Sequence, residues 1–142
     1  MSNPLSKCRV PEMFMFDIFI AIHKIKNTIT DYTDAQKLLY SYRDWDSVIR
    51  EFEIIGEASK RLLVNGDFQI IVDFRNRITH GYFGIDENLV WSIAENDLTD
   101  FLQIIQSLIS KIEPHLKQEL IVSFKEDNKY LDFIVNVLEQ DL

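Results

Sequence analysis

Residues 11–29 read PEMFMFDIFIAIHKIKNTI, and their spacing decides the fold. Met15, Ile18, Ile22, Ile25 and Ile29 follow one another at steps of 3, 4, 3 and 4, the period of one helix face. Pro11 suits a first helical turn, where its missing N–H would have had no partner. Phe14, Phe16, Phe19 and Ile20 add apolar surface outside that stripe, so the spacing predicts a helix that touches more than one neighbour.

The same period continues along the chain. Asp31 to Thr33 read as a break, and Asp34 is placed to cap a short helix reaching Tyr42. A third helix is expected from Asp44 or Asp46, with Val48, Phe52, Ile55, Ser59 and Leu62 on its inner side. Gly56 falls inside it, where glycine costs about 1 kcal/mol relative to alanine, so close approach of another backbone is expected there. Asn65-Gly66 reads as a turn, and Asp67 caps a fourth helix bearing Phe68, Ile71, Phe74 and Ile78, with Gly81 just past its end.

Asp86, with Glu87 in the first turn, opens one long helix in which Ile93, Asp97, Phe101, Ile104 and Leu108 hold a line. Leu98, Ile105 and Ile112 lie alongside that line, and Pro114 ends or kinks the helix. The tail to Leu142 reads as one or two more helices, the last carrying Leu131, Ile134 and Leu138. The expectation is an all-α, up-and-down bundle forming a single domain over residues 1–142.

Composition agrees. The chain has 142 residues with only four Gly and three Pro, too few for the turns of a sandwich or barrel. A lone cysteine, Cys8, excludes an internal disulfide, and three scattered His make no zinc cluster. The most apolar stretch, Met13 to Ile22, is interrupted by Asp17 and is too short to span a bilayer. No secretory leader is visible, so the chain reads as soluble and cytoplasmic, without a membrane partner.

Charge is unevenly placed. Residues 1–82 hold 11 basic and 11 acidic side chains, whereas residues 83–142 hold 4 and 12 and carry the entire net charge of −8. Such acidity opposes indiscriminate nucleic-acid binding, though it leaves room for a local site built from a few Arg.

That site is found in Phe74-Arg75-Asn76-Arg77-Ile78-Thr79-His80-Gly81-Tyr82. Asn76 and His80 share a helix face at about 100° per residue, so the amide can orient the imidazole. Arg75 and His80 are five apart and converge if the Arg bends over, if the last turn distorts, or if two copies meet in a symmetric dimer. The set suits RNA cleavage, in which the 2′-hydroxyl is the nucleophile and the protein supplies a proton carrier and positive charge. The unperturbed pKa of a histidine side chain is near 6.5, so His80 can serve as base or acid. Arg75 holds two phosphate oxygens through its planar fork. A purely structural account also exists: a His near a helix C-terminus interacts well with the dipole, and Arg residues often bridge to acids.

At these residues the chain resembles the HepT-like toxins of the HEPN superfamily. Arg75, His80 and Tyr82 match their R-x4-H-x-Y motif. The stretch from Val48 to Arg61, with Ile55-Gly56-Glu57-Ala58 at its centre, is similar to the helix that precedes the motif in that family. Tyr82 to Asp86, Val90-Trp91 and Asp97-Leu98 are similar to the family's segment after the motif, and the likeness runs from about residue 14 to about residue 112.

The resemblance implies a helical homodimer with both Arg–His pairs in a shared cleft, and metal-independent endoribonuclease activity without a cofactor. It implies the toxin of a type VII-like toxin–antitoxin pair, whose partner is a minimal nucleotidyltransferase that adenylylates the motif tyrosine. On that mapping Arg75 and His80 are catalytic, Asn76 and Arg77 bind or orient RNA, and Tyr82 accepts AMP. An added AMP brings charge and bulk to the place meant for an RNA phosphate. The alternative is a non-catalytic helical module that partners a nucleotidyltransferase.

Two departures stand out. The connection between Arg61 and Phe74 is shorter than in the family and lacks its Pro and Trp, and a helical extension over about residues 115–142 lies beyond the usual end. Elsewhere, His23 is expected in solvent on the polar flank of the first helix, His115 near a helix end, and Glu57 in a structural salt bridge. The chain lacks the Gly-Ser…Asp-x-Asp signature of a nucleotidyltransferase, so it is not the modifying partner.

Overall fold

A computed structural model describes residues 9–64, 76 and 86–142, and among these every regular element is helical. In chain order they are α1 (Pro11–Ile29), α2 (Ala35–Tyr40), α3 (Tyr42–Val64), α4 (Glu87–Ser92), a π-helical turn (Ile93–Asp97), α5 (Leu98–Ser110), α6 (Pro114–Asp127) and α7 (Asp132–Gln140).

Helix α1 is the centre of the bundle. Phe16, Ile18, Phe19, Ile22 and Ile25 are fully buried, and Met13, Ile20 and Ala21 nearly so, which places buried side chains almost all around the axis. A helix apolar on every side must be packed on every side. Accordingly α1 lies along α3, along α5 and the π turn, and against α7. Each large side chain moved out of water here contributes about 1.5–3 kcal/mol.

Helix α3 turns Val48, Phe52, Ile55, Ser59 and Leu62 inward, as its spacing predicts. It begins at Tyr42 rather than at Asp44 or Asp46, because α2 ends at Tyr40 and only Ser41 separates the two. Asp34 caps α2 as expected, its carboxylate accepting from the Lys37 amide at 2.9 Å. The Tyr32 hydroxyl donates to the Asp44 carboxylate and fastens the α1–α2 loop to the start of α3.

The expectation at Gly56 is overturned. A Cβ built there meets nothing within 4 Å, so no backbone among the described residues occupies the space.

The single long helix expected after Asp86 is divided. Asp86 does cap it, accepting from the amides of Asn88 at 3.1 Å and Leu89 at 3.2 Å. One turn later the ladder widens, and the Leu98 amide reaches back to the Ile93 carbonyl, five residues before it. This π turn admits an extra residue. The buried line beyond it is therefore Ile93, Leu98, Phe101, Ile105, Ile109 and Ile112, while Ile104 and Leu108 are only half-buried. Lys26 ties α1 to α5 by donating to the Thr99 hydroxyl at 2.7 Å.

The tail forms two helices. Pro114 occupies the first turn of α6, and the Glu113 carboxylate accepts from the His115 and Leu116 amides, each at 2.9 Å. Those two backbone bonds hold the Glu113 carboxyl below its ordinary range. His115 is exposed at that helix start. Ile134 and Leu138 of α7 are fully buried, and Phe124 of α6 lies against Phe16 of α1. No described helix is long and apolar enough to cross a membrane.

Candidate functional site

The candidate motif belongs to the chain between α3 and α4. Arg75, Arg77, His80 and Tyr82, together with the helix expected from Asp67 to His80, lie outside the described residues. Asn76 is described, and it is helical and exposed. The geometry of the Arg75–His80 pair is therefore not part of the described structure, but its frame is.

On one side α3 delivers the chain to Val64. The inner face of α3 is fixed against α1, and Glu57, Lys60 and Arg61 stay exposed on the outer face. Glu57 and Arg61 form the expected ion pair, one helical turn apart with 3.4 Å between Nε and Oε1. Both side chains are about 60% exposed, so this pair contributes little to stability. On the other side Asp86 fixes the start of α4, four residues beyond Tyr82. The π turn comes directly after, with Glu95 and Asn96 exposed and Asp97 half-buried. Turns of this kind are rare and often stand beside functional sites.

Ser59 is entirely buried, and its hydroxyl has no hydrogen-bond partner among the described residues. It stands on α3 between Ile55 and Leu62, where a serine completes the helical spacing without filling a larger side chain's volume.

His23 departs from expectation. Its ring packs edge-on against Phe19 with centroids 4.6 Å apart, and its Nε2 is buried without a partner among the described residues. Burial pushes its pKa below the ordinary 6.5, with Asp141 acting in the opposite sense. The polar flank read from Lys24 and Lys26 is thus partly covered in the folded chain.

Two further titratable groups were not among the sequence candidates. Glu51 is 8% exposed, and burial raises its carboxyl above the usual range despite Lys24 and Arg50. Its position was legible: it lies three residues after Val48 and four before Ile55, on the apolar side of α3. Asp17, which interrupts the apolar run of α1, pairs with Arg9 at 2.8 Å, and burial raises its carboxyl all the same. Among the described residues no group of three or more His, Cys, Asp or Glu is placed to hold a metal ion.

These features define an all-α protein whose candidate site lies in the chain joining α3 and α4. The family described as Ribonuclease HepT-like matches residues 18–108, which span α1 to α5 and include the whole motif. The chain belongs to that family.

Curated relatives agree. A Methanocaldococcus jannaschii protein named "Putative RNase MJ0127" is 30% identical over 107 residues, covering 70% of this chain and 88% of its own. A second from that organism, "Putative RNase MJ1380", is 33% identical over 94 residues, covering 60% of this chain and 84% of its own. "Probable ribonuclease HepT" of Thermococcus cleftensis is 36% identical over 59 residues, covering 37% of this chain and 54% of its own. No solved structure gives a significant match.

Proposed function

We propose that this protein is a metal-independent endoribonuclease acting as the toxin of a toxin–antitoxin pair. The observation that carries the reading is the family match over residues 18–108, which takes in Arg75, Asn76, Arg77, His80 and Tyr82 together.

In this reading the RNA supplies its own nucleophile. A base removes the proton of the 2′-hydroxyl, whose oxygen attacks the adjacent phosphorus. The bond to the 5′-oxygen breaks, and that oxygen receives a proton. The products are a 2′,3′-cyclic phosphate and a 5′-hydroxyl, with no change in the number of protons. His80 is the proton carrier, a role worth on the order of 10²–10⁴-fold. Arg75 neutralises charge on the phosphorane through two parallel hydrogen bonds. Asn76, exposed on its helix, is available to bind or orient RNA, with Arg77 beside it.

One His80 can hold one proton position at a time. A homodimer that brings the partner's His80 to the same cleft would supply base and acid from separate subunits. Tyr82, two residues beyond His80, is the proposed AMP acceptor for a cognate minimal nucleotidyltransferase antitoxin. The added phosphate would repel the RNA backbone from the same place.

The test is RNA cleavage by the purified full chain in EDTA, beside His80→Ala, after mass spectrometry shows Tyr82 unmodified. Cleavage by the wild type alone, leaving cyclic phosphate ends, supports the reading. No cleavage of several RNAs by an unmodified dimer turns the weight to a binding module.

A further inference from the structure

A cavity of about 250 Å³ opens between α1, α3 and α6, outside the motif-bearing segment. Its floor comes from the family-matched part of the chain, through Ile20 and Lys24 of α1 and Glu51 and Ile54 of α3. Its roof comes from the extension beyond that part, through Phe124, Asp127 and Asn128. The chamber is a product of the extension folding back on α1.

Glu51 is the unusual member. It is 8% exposed and forms no hydrogen bond or ion pair within 4 Å among the described residues. Lys24 and Arg50 act on it only at longer range. Its carboxylate reaches the open space of the cavity, so a cation entering there can pair with it directly.

The ligand's sign follows from Glu51, the carboxylate in the cavity that no described cation pairs with. Arg9 and Asp17 are committed to each other at 2.8 Å and cancel. Among the lining side chains that leaves Lys24 against Glu51 and Asp127, with Arg50 acting on Glu51 from outside the lining. The amide nitrogen of Asn128 donates to the Phe124 carbonyl at 2.8 Å, which leaves its oxygen as an acceptor. A metal ion is a poor fit, because no three described acids converge closely enough to hold one. Met13, Ile20, Ile54 and Phe124 supply an apolar wall instead.

We propose that this cavity binds a small organic monocation, an ammonium head on a short aliphatic body, with Glu51 as its counter-charge. The ammonium donates to Glu51, with Asp127 adding attraction, and the alkyl chain lies against the apolar wall. Neither RNA nor the motif enters this reading, so it stands or falls apart from the nuclease.

The test is calorimetric titration of n-butylammonium chloride into the full chain, with 1-butanol and sodium chloride as controls. Saturable binding with a Kd of roughly millimolar order is expected, as a probe of so few atoms permits. Glu51→Gln should weaken it at least about tenfold, the effect of one charge-assisted contact. That variant keeps the shape and removes a buried charge, so its Tm should not fall, which separates lost binding from lost fold. Lys24→Met removes the competing cation and should tighten binding. Equal binding of 1-butanol, an unchanged Glu51→Gln, or binding seen only in Lys24→Met would overturn the proposal. In the last case Lys24 itself serves as the counter-ion of Glu51.

Discussion

Phe16 of α1 and Phe124 of α6 stack with ring centroids 5.1 Å apart and planes inclined by 19°. One ring precedes the family-matched residues and the other comes after them, so this contact fastens the C-terminal extension to the central helix. Phe16 is fully buried and Phe124 is 7% exposed, so the contact is effectively dry.

Truncating Phe124 to Ala should therefore cost about 3 kcal/mol, the lower end for a buried aromatic. For a chain of this size that lowers Tm by roughly 10 °C. Val122, on the same helix but 57% exposed, gives the control: Val122→Ser should change Tm little. Thermal unfolding followed by circular dichroism measures both. Equal shifts would mean that α6 is not held through Phe124.

Gly56→Ala should stabilise the chain by about 1 kcal/mol, because alanine has the higher helix propensity and its Cβ meets nothing within 4 Å. Denaturant unfolding with an unchanged m-value checks it. A loss of stability would show that the open side of α3 is covered in solution, for which light scattering of wild type and variant gives the direct comparison.

Glu51 and His23 should give opposite pH signatures. Burial raises the Glu51 carboxyl, so the folded chain holds that proton more tightly than the unfolded chain. Its contribution is fully present below the unfolded value and is lost as pH rises through the folded one. The stability gained by Glu51→Gln should thus be largest near pH 7 and shrink as pH falls toward 4.5, the ordinary value. A gap that is constant with pH would remove Glu51 as the titrating group.

For His23 the sign reverses. Burial lowers its pKa, so its contribution is present above 6.5 and is lost as pH falls through the folded value. His23→Leu keeps an apolar contact for Phe19 and has no proton to gain. Its stability relative to wild type should rise as pH drops below 6.5, read from urea midpoints across that window.

If the motif is catalytic, Arg75→Ala and His80→Ala should each lower RNA cleavage by at least about 10²-fold, with unfolding midpoints close to wild type. Co-expression with a minimal nucleotidyltransferase should add AMP mass to wild type and not to Tyr82→Phe. Persistent cleavage in His80→Ala would assign the proton transfer to another group.

Much of this molecule could be read from spacing alone. The inner faces of α1 and α3, the caps at Asp34 and Asp86 and the two tail helices all rest on interactions within a few residues of chain. Helical period and capping chemistry are local, so the sequence carries them directly. The candidate motif was legible for the same reason: Arg75, Asn76, His80 and Tyr82 lie within eight consecutive residues.

The features that spacing did not reveal depend on contacts between distant parts of the chain. The open space beside Gly56 depends on which flank of α3 its neighbours leave bare, a property no local pattern records. The π turn at Ile93–Asp97 changes the register of the buried line within a stretch that reads as one regular helix. His23 sits among polar neighbours in sequence, yet its Nε2 is buried once the bundle closes around it. The cavity at Glu51 exists only because residues 124–128 return to α1, more than a hundred positions after Met13. Local chemistry chose the helices. Their packing decided which polar groups lost their water, because desolvation is set by whatever the rest of the chain brings alongside.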